Sequence, residues 1–371
     1  MLTTPSGKLR ARAIGIPFDG EPGGFNAITD VAGVEVGYQT LIRGSGRRVR
    51  GEGPVRTGVT AILPRGREGA DSGVFAGMFS LNGNGELTGS HWVAEVGRCE
   101  GPITITNTHS VGVAHDATIK WLVGKSGREG QWSLPIAGET YDGWLNDIDG
   151  FHVTEADVFG ALDSARGGAI EEGSVGGGTG MIAYGFKGGS GTASRQVAFA
   201  GETYVVGAFV QANFGVREQL TIAGVPVGRA LKDWSPDQRG DVESGSVIAI
   251  VATDAPLLPH QLTRLARRTA LGIGRSGATS GHGSGDIFLA FSTANAAALG
   301  EGEGLRSVAF IPDASLNPFF AATIQSVDEA VLNALVANQT MTGADDHVVH
   351  ALPHDEVRAL LARHGAIRAP G

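Results

Sequence analysis

The sequence predicts a layered α+β fold in which short strands and helices are interspersed without a regular order. Of 371 residues, 59 are glycine and 15 are proline, which indicates many tight turns. A hydrophobic share of 42% supplies the apolar material that a disordered chain lacks. Runs rich in β-branched residues dominate the first two-thirds, and helical periodicity becomes prominent later. A doubly wound sheet would instead show a steady alternation of strand and helix.

The predicted strands are short apolar runs bounded by glycine, and the predicted helices have apolar residues three and four positions apart. The strands are GVEVGYQTLI from Gly33, TGVTAILP from Thr57, PITITNT from Pro102, TASRQVAFA (192–200), ETYVVGAFVQANF (202–214) and SVIAIVAT (246–253). The helices are VGVAHDATIKWLVG from Val111, HVTEADVFGALDSA from His152, and the segments 259–274, 315–339 and 354–365, with Gly365 as a C-cap. Residues 227–245 are polar and charged, and they predict an exposed loop before Ser246.

Composition excludes several classes of protein. The net charge of −9 and the pI near 5.6 disfavour nucleic acid and anionic membranes as partners. Cys99 is the only cysteine, so an internal disulfide and a cysteine zinc cage are both excluded. The start of the sequence lacks the apolar core of a secretory signal, and no uncharged run reaches the ~18 residues of a membrane span. We therefore expect a cytoplasmic location.

The sequence patterns for cofactor and metal sites either lack the structural surroundings that they require or do not occur. Residues 272–277 match G-x-G-x-x-G, but they follow a predicted helix instead of a strand. The P-loop pattern is missing from the sequence. His350 and His354 have metal-ligand spacing, yet Pro353 interrupts a shared helix. The sequence therefore predicts neither a cofactor nor a metal site.

The junction of Gly245 and Ser246 is the sharpest candidate for chemistry. A serine that opens an apolar strand is usually structural. The alternative is self-cleavage, because glycine leaves its carbonyl open to attack by the next hydroxyl. Attack would form an ester and then free the α-amine of Ser246, whose reference pKa near ~8 suits a built-in base.

Further candidates lie in three other segments. Ser284 and Asp286 alternate with apolar residues, so their side chains are expected on one side of a strand, where they could relay a hydrogen bond. An ordinary turn is the alternative. Asn213 ends a strand and could donate to an oxyanion, although a turn asparagine before glycine is common. Glu139 could pair with a substrate ammonium beside the phenol of Tyr141, but a surface turn explains both residues equally well.

Together these segments resemble the self-processing serine aminopeptidases, a family that includes L-aminopeptidase/D-Ala-esterase-amidase and the β-peptidyl aminopeptidases. The resemblance covers nearly the whole chain. It is closer to the L-aminopeptidase/D-Ala-esterase-amidase branch, chiefly through Asp286 and the amino-acid sequence of residues 248–268. It is carried by NAITDVAGVEVGY (26–38), TGVTAILPRG (57–66), SLNGNGELTGSHWVAE (80–95), GPITITNTHSVGVAHDA (101–117), ETYDGWLNDIDGFHV (139–153), GSVGGGTGM (173–181), VQANFG (210–215), GSVIAIVATDAPLLPHQLTRLARR (245–268) and SGDIFLAFSTAN (284–295).

The resemblance implies a single catalytic domain over 1–371 with a four-layer αββα sandwich, similar to N-terminal nucleophile hydrolases but differently connected. It implies autocatalytic cleavage into 1–245 and 246–371, followed by assembly of a homotetramer. Substrates would be short peptides, amino-acid amides or esters with a free N-terminal amine.

The same resemblance assigns roles to the candidate residues. Ser246 would be the nucleophile, Ser284 and Asp286 its supporting hydroxyl and acid, and Asn213 the oxyanion donor. Tyr141 would be a further hydrogen-bonding group and Glu139 the group that recognises the substrate's amine. Related alternatives are a β-peptidyl aminopeptidase, an ornithine acetyltransferase, which normally cleaves before threonine, and a non-catalytic scaffold that would have lost the nucleophile.

Overall fold

The computed structural model describes residues 1–126, 130, 132–234, 245–300 and 303–367. In chain order the strands are β1 (Glu35–Arg43), β2 (Val55–Leu63), β3 (Val74–Gly83), β4 (Arg98–Cys99), β5 (Ile103–Asn107), β6 (Ile136–Thr140), β7 (Ile182–Ala183), β8 (Phe186–Lys187), β9 (Gly189–Phe199), β10 (Glu202–Asn213), β11 (Ser246–Thr253), β12 (Gly285–Ser292), β13 (Met341–Thr342) and β14 (Val348–Val349). The helices are α1 (Ser90–Val96), α2 (Val111–Ser126), α3 (Glu155–Asp163), α4 (Val227–Ala230), α5 (Pro259–Arg275), α6 (Ala296–Leu299), α7 (Asn317–Val336) and α8 (His354–Arg363).

Two sheets form the centre of the molecule. One has the strand order β1-β2-β5-β6 and the other β4-β3-β12-β11-β10-β9. In the six-stranded sheet β11 and β12 run parallel, and the remaining neighbours are antiparallel. Side chains from both sheets meet in one buried cluster, which includes Ile103 and Ile105 on one side and Ile248 and Ile250 on the other. The sheets are therefore stacked face to face.

Helices cover the outer face of each sheet. Helices α5, α7 and α8 share a buried cluster with the six-stranded sheet, and α2 and α3 share one with the four-stranded sheet. The four layers are thus helix, sheet, sheet and helix, which confirms the predicted αββα sandwich. The apolar face predicted for the segment 259–274 is also confirmed, since its marker residues are buried in α5: Leu262, Leu265, Ala266, Thr269 and Ile273.

Strand β11 lies between β12 and β10 and is buried along its whole length. Val247, Ala249 and Val251 face the helices, and the alternate residues face the other sheet. A strand buried on both faces needs apolar residues at every position, which explains the unbroken run that follows Ser246.

Helix α7 is long and apolar enough, by length and composition alone, to span a membrane. We did not expect such a helix, because the sequence contains no long uncharged run. The helix is largely buried inside the protein. Its Glu329 accepts hydrogen bonds from Arg12, Arg195 and Asn26, and its Asp328 pairs with Arg275 at 2.9 Å. These contacts make α7 a core helix of the sandwich.

The prediction of an exposed loop over 227–245 is wrong at its start, and Gly245 at its end is buried as well. Val227 and Leu231 are buried and lie four residues apart across the short helix α4, so they pack together into the core. Because most residues around this apolar pair are polar, the sequence pattern did not indicate a buried segment. Residues 235–244 lie outside the described part of the chain.

Candidate active site

Two predicted site residues, Asn213 and Ser246, form a row with Gly285 across one end of the six-stranded sheet. Asn213 pairs with Ser246 across the antiparallel strands β10 and β11, and Ser246 pairs with Gly285 across the parallel strands β11 and β12. Ser246 is buried, with 6% of its surface exposed. The sheet therefore fixes the spacing of the predicted nucleophile and the predicted oxyanion donor.

The backbone at Gly245 is held tightly against β10. A Cβ atom added at Gly245 would lie 2.1 Å from the carbonyl oxygen of Asn213. No larger residue fits there without movement of the backbone. The N–H of Gly285 is 3.3 Å from the carbonyl oxygen of Gly245 and 3.3 Å from Ser246 Oγ. One backbone donor thus points at both the bond predicted to break and the hydroxyl predicted to attack it.

Ser284 and Asp286 are hydrogen-bonded, with Ser284 Oγ donating to Asp286 Oδ1 at 2.6 Å, and both residues are buried. The predicted placement on one side is confirmed. Asn82 from β3 supports this pair, because its Nδ2 donates to the Ser280 carbonyl at 2.8 Å and lies 3.4 Å from Asp286 Oδ2. The Asn82 amide therefore connects the carboxylate of Asp286 to the glycine-rich loop that precedes it in the chain.

The side chain of Asn213 is held at both of its polar atoms. Its Oδ1 accepts a hydrogen bond from the Ile182 N–H at 2.8 Å, and its Nδ2 donates to the Tyr141 carbonyl at 3.0 Å. Because Oδ1 faces a donor and Nδ2 faces an acceptor, the orientation of the amide is fixed. Among the described residues the Tyr141 carbonyl is the one acceptor that contacts Nδ2, so its second N–H is available for a further hydrogen bond.

Glu139 lies at the end of β6 and is buried, with 3% of its surface exposed, so the surface-turn interpretation is wrong. Its Oε1 accepts from the Glu86 N–H at 3.1 Å, and its Oε2 accepts from Thr108 Oγ1. Burial raises the pKa of Glu139 above its ordinary value, against the lowering effect of these two hydrogen bonds.

Glu139 belongs to the four-stranded sheet, but it faces the row at the end of the six-stranded sheet. Gly85 lies between them. A Cβ atom added at Gly85 would be 3.2 Å from Glu139 Oε1 and also 3.2 Å from Gly285 Cα. Gly85 therefore fills the space between the Glu139 carboxylate and the backbone of Gly285 beside Ser246.

Tyr141 is about half exposed. Its backbone carbonyl, not its phenol, contacts Asn213. The ring lies over Gly143, where an added Cβ atom would be 2.3 Å from the phenol oxygen. The structure thus places the phenol at the surface beside the site, and among the described residues no hydrogen bond joins it to the other predicted site residues.

Asp142 follows Tyr141 and is fully buried, and burial raises its pKa to about 7, although Thr57, Asn146 and Asn107 donate hydrogen bonds to it. A carboxyl whose pKa is raised in the folded state contributes stability below its unfolded pKa and loses it as the pH rises through about 7.

We therefore expect the Tm of the wild-type protein to fall between pH 5 and pH 9, in part because Asp142 ionises. Asp142→Asn should make this fall smaller, since a neutral amide cannot ionise. Differential scanning calorimetry at the two pH values tests this. An Asp142→Asn protein with the same pH dependence as the wild type would show that Asp142 does not titrate in this range.

Several groups around the site were missed from the sequence, namely Asn82, Asn84, Glu86, Thr108 and the N–H of Gly285. Asn82, Asn84 and Glu86 lie in a segment already quoted for the family resemblance (80–95), so its asparagines were the available signal. Among the described residues, no group of three or more His, Cys, Asp or Glu side chains could hold a metal ion.

Comparison with known proteins decides the family. The model of peptidase family S58 matches residues 26–349. The chain belongs to peptidase family S58. It is 50% identical to a β-peptidyl aminopeptidase from Sphingosinicella microcystinivorans over 97% of this chain and 93% of that one. Family and relatives together make it a serine aminopeptidase, a hydrolase.

Solved structures of this S58 peptidase's relatives share its fold. The L-aminopeptidase D-Ala-esterase/amidase from Ochrobactrum anthropi, described as a new variant of the Ntn-hydrolase fold, superposes with a TM-score of 0.91 at 48% identity. A β-aminopeptidase from a Burkholderia species superposes with a TM-score of 0.88 at 44% identity. Each comparison covers 96% of this chain and 99% of the other. Both predicted branches are therefore represented among similar proteins.

Proposed function

We propose that this S58 peptidase cleaves its own chain between Gly245 and Ser246 and then uses Ser246 as the nucleophile of an aminopeptidase. The observation that carries this proposal is the position of the Gly285 N–H, 3.3 Å from both the Gly245 carbonyl oxygen and Ser246 Oγ. A donor there stabilises the oxyanion that forms when Oγ attacks the carbonyl carbon of Gly245. The C–N bond breaks, an ester links Gly245 to Ser246 Oγ, and the amine of Ser246 takes up the proton.

Water then hydrolyses the ester and leaves Ser246 with a free hydroxyl and a free α-amine. In turnover Ser246 Oγ attacks the first carbonyl of the substrate, and the α-amine or Ser284 accepts its proton. The Nδ2 of Asn213 and a backbone N–H hold the oxyanion. Asp286 keeps the hydroxyl of Ser284 oriented through their 2.6 Å hydrogen bond. The leaving amine takes a proton, and water releases the amino acid.

Self-processing is tested by mass spectrometry of the purified, denatured protein. We expect two polypeptides that correspond to residues 1–245 and 246–371, the second beginning with SVIAIV. An intact chain after long incubation, together with a lack of aminopeptidase activity, would overturn the proposal.

We propose that Glu139 selects substrates by pairing with their free ammonium. Pairing needs an ionised carboxylate, and the pKa of Glu139 is raised by burial. We therefore expect kcat/KM to fall, as the pH is lowered, at a pH above the ordinary range of a glutamate. Glu139→Gln should raise KM and remove this acidic limb in a pH profile measured with an amino-acid p-nitroanilide. An acidic limb that persists unchanged in Glu139→Gln would assign it to another group.

The proposed substrate class is that of an L-aminopeptidase with D-Ala amidase and esterase activity. The structural similarity to the Ochrobactrum anthropi enzyme supports it. The alternative is a β-peptidyl aminopeptidase with the same mechanism, which is favoured by the identity of 50% to the Sphingosinicella microcystinivorans enzyme. Comparison of kcat/KM for L-Ala, D-Ala-amide and β-homo-Ala substrates distinguishes them, because the β-peptidyl enzyme should prefer the substrate with the extra backbone carbon.

We also propose that processed protomers form a homotetramer and work in the cytoplasm, as the family resemblance and the sequence composition suggest. Light scattering should give about four times the 38.1 kDa of one processed protomer. Fractionation of cells that produce the protein should recover it with cytoplasmic markers. A monomeric mass or recovery from the periplasm would contradict the respective part.

A further inference from the structure

Lys187 is a buried amine that the proposed mechanism does not use. It lies in β8 with its side chain fully enclosed. Its Nζ donates to the carbonyls of Met181 and Gly188, both at 2.8 Å, and among the described residues no carboxylate is within ion-pair distance. Burial lowers the pKa of Lys187 well below its ordinary value. The two carbonyls each accept one N–H of the amine.

The Met181 carbonyl links this amine to the active site. It belongs to the peptide group that joins Met181 to Ile182, and the N–H of the same peptide group donates to Asn213 Oδ1 at 2.8 Å. A peptide group is planar, so fixing its C=O also fixes the direction of its N–H. A donor on the C=O also polarises the N–H, which strengthens the second hydrogen bond.

The hairpin of β7 and β8 is anchored at the end of β10 by further contacts. The Tyr184 N–H donates to the Phe214 carbonyl at 2.9 Å, next to the end of β10. The Gly188 N–H donates to the Met181 carbonyl at 3.0 Å and closes the hairpin itself. These backbone bonds locate the hairpin as a whole. Lys187 adds a side-chain donor at the peptide group whose N–H contacts Asn213 Oδ1.

We propose that Lys187 is a positioning residue that orients the oxyanion donor Asn213 through the Met181–Ile182 peptide group. The proposal rests on the proposed function, in which Asn213 stabilises the oxyanion. It predicts that loss of the amine changes the rate of the chemical step and leaves binding of the substrate's ammonium at Glu139 unaffected.

The test compares kcat and KM of wild type, Lys187→Met and a control on an L-alanine p-nitroanilide. Methionine fills the same space without N–H groups. Because removal of an oxyanion donor costs ~10²–10³ in kcat, we expect loosening of the donor to cost about tenfold in kcat, with KM nearly unchanged. The control is Asn338→Ala, since Asn338 Nδ2 donates to the carbonyls of Lys187 and Gly188 but not to that of Met181. It should keep the wild-type kcat.

A double-mutant cycle with Asn213→Ala separates positioning from general damage. If Lys187 acts through Asn213, Lys187→Met should have little further effect on kcat once Asn213 is alanine. Equal losses in both backgrounds, or a folded Lys187→Met protein with the wild-type kcat, would overturn the inference. If Lys187→Met does not fold, Lys187→Leu, which also lacks N–H donors, is put through the same cycle and judged by the same criterion.

The same assay includes Ser246→Ala. Activity that persists in Ser246→Ala refutes the proposed function itself, whereas an inactive Ser246→Ala beside an unaffected Lys187→Met refutes only the role of Lys187.

Discussion

A Ser246→Ala protein is expected to remain a single polypeptide of 371 residues and to lose its aminopeptidase activity. Alanine has no hydroxyl to attack the Gly245 carbonyl, so neither the ester nor the new amino terminus can form. Loss of a nucleophile from a hydrolytic site costs on the order of 10⁴–10⁶ in kcat. Denaturing mass spectrometry and hydrolysis of an amino-acid p-nitroanilide measure the two effects.

Ser292→Ala is the matched control for this experiment. Ser292 ends β12, the strand that Gly285 begins, and its Oγ donates to the Ala255 carbonyl at 2.6 Å. Like the nucleophile it is buried, but it lies at the other end of the parallel pair of strands β11 and β12. Its variant should be processed and active. Cleaved Ser246→Ala protein, or activity retained by it, would mean that the nucleophile lies elsewhere.

Asn213→Ala is expected to lower kcat by ~10²–10³, the usual effect of removing one oxyanion donor. KM should change little, because the proposed ammonium site at Glu139 is left intact. Self-cleavage should be affected less than turnover, since the N–H of Gly285 is already 3.3 Å from the Gly245 carbonyl oxygen. Steady-state kinetics on pre-cleaved protein and the time course of cleavage in freshly purified protein measure the two effects separately.

Asn295→Ala is a suitable control for Asn213→Ala. The Asn295 side chain makes two hydrogen bonds of 2.9 Å with the backbone of Ala309, so its removal also deletes an amide bonded on both sides. It follows β12 at the end of the sheet away from Ser246. A kcat that falls equally in both variants would mean that the effect of Asn213→Ala reflects stability instead of oxyanion binding.

Much of the fold could be predicted from the sequence because its signals are local. Apolar runs gave β10, β11 and β12, and helical spacing gave α5 and α7. The period of two along a strand was enough to place Ser284 beside Asp286. The junction of Gly245 and Ser246 was visible for the same reason, since the polar stretch ends abruptly where the buried strand begins.

The contacts around the candidate site could not be predicted, because they join residues that are far apart in the chain. Asn82 is 204 residues from Asp286, and Thr108, which follows the neighbouring strand β5, is 31 residues from Glu139. The alternation of residue types along one strand carries no information about which strand lies beside it. The same limit explains why Glu139 resembled a surface residue: its Oε1 is bonded by the Glu86 N–H, which comes from the segment that follows β3 of the other sheet.

The central position of β11 also determines how the protein can be made. If the chain is cut before Ser246, the first strand of the second polypeptide is enclosed between strands β10 and β12, one from each polypeptide, so both pieces stay in one shared core. Only the uncut chain then contains all three of these strands in one polypeptide that can fold by itself. A matured enzyme that has been unfolded would have to reassemble from two partners, and maturation is in this sense a step that the protein can take only once.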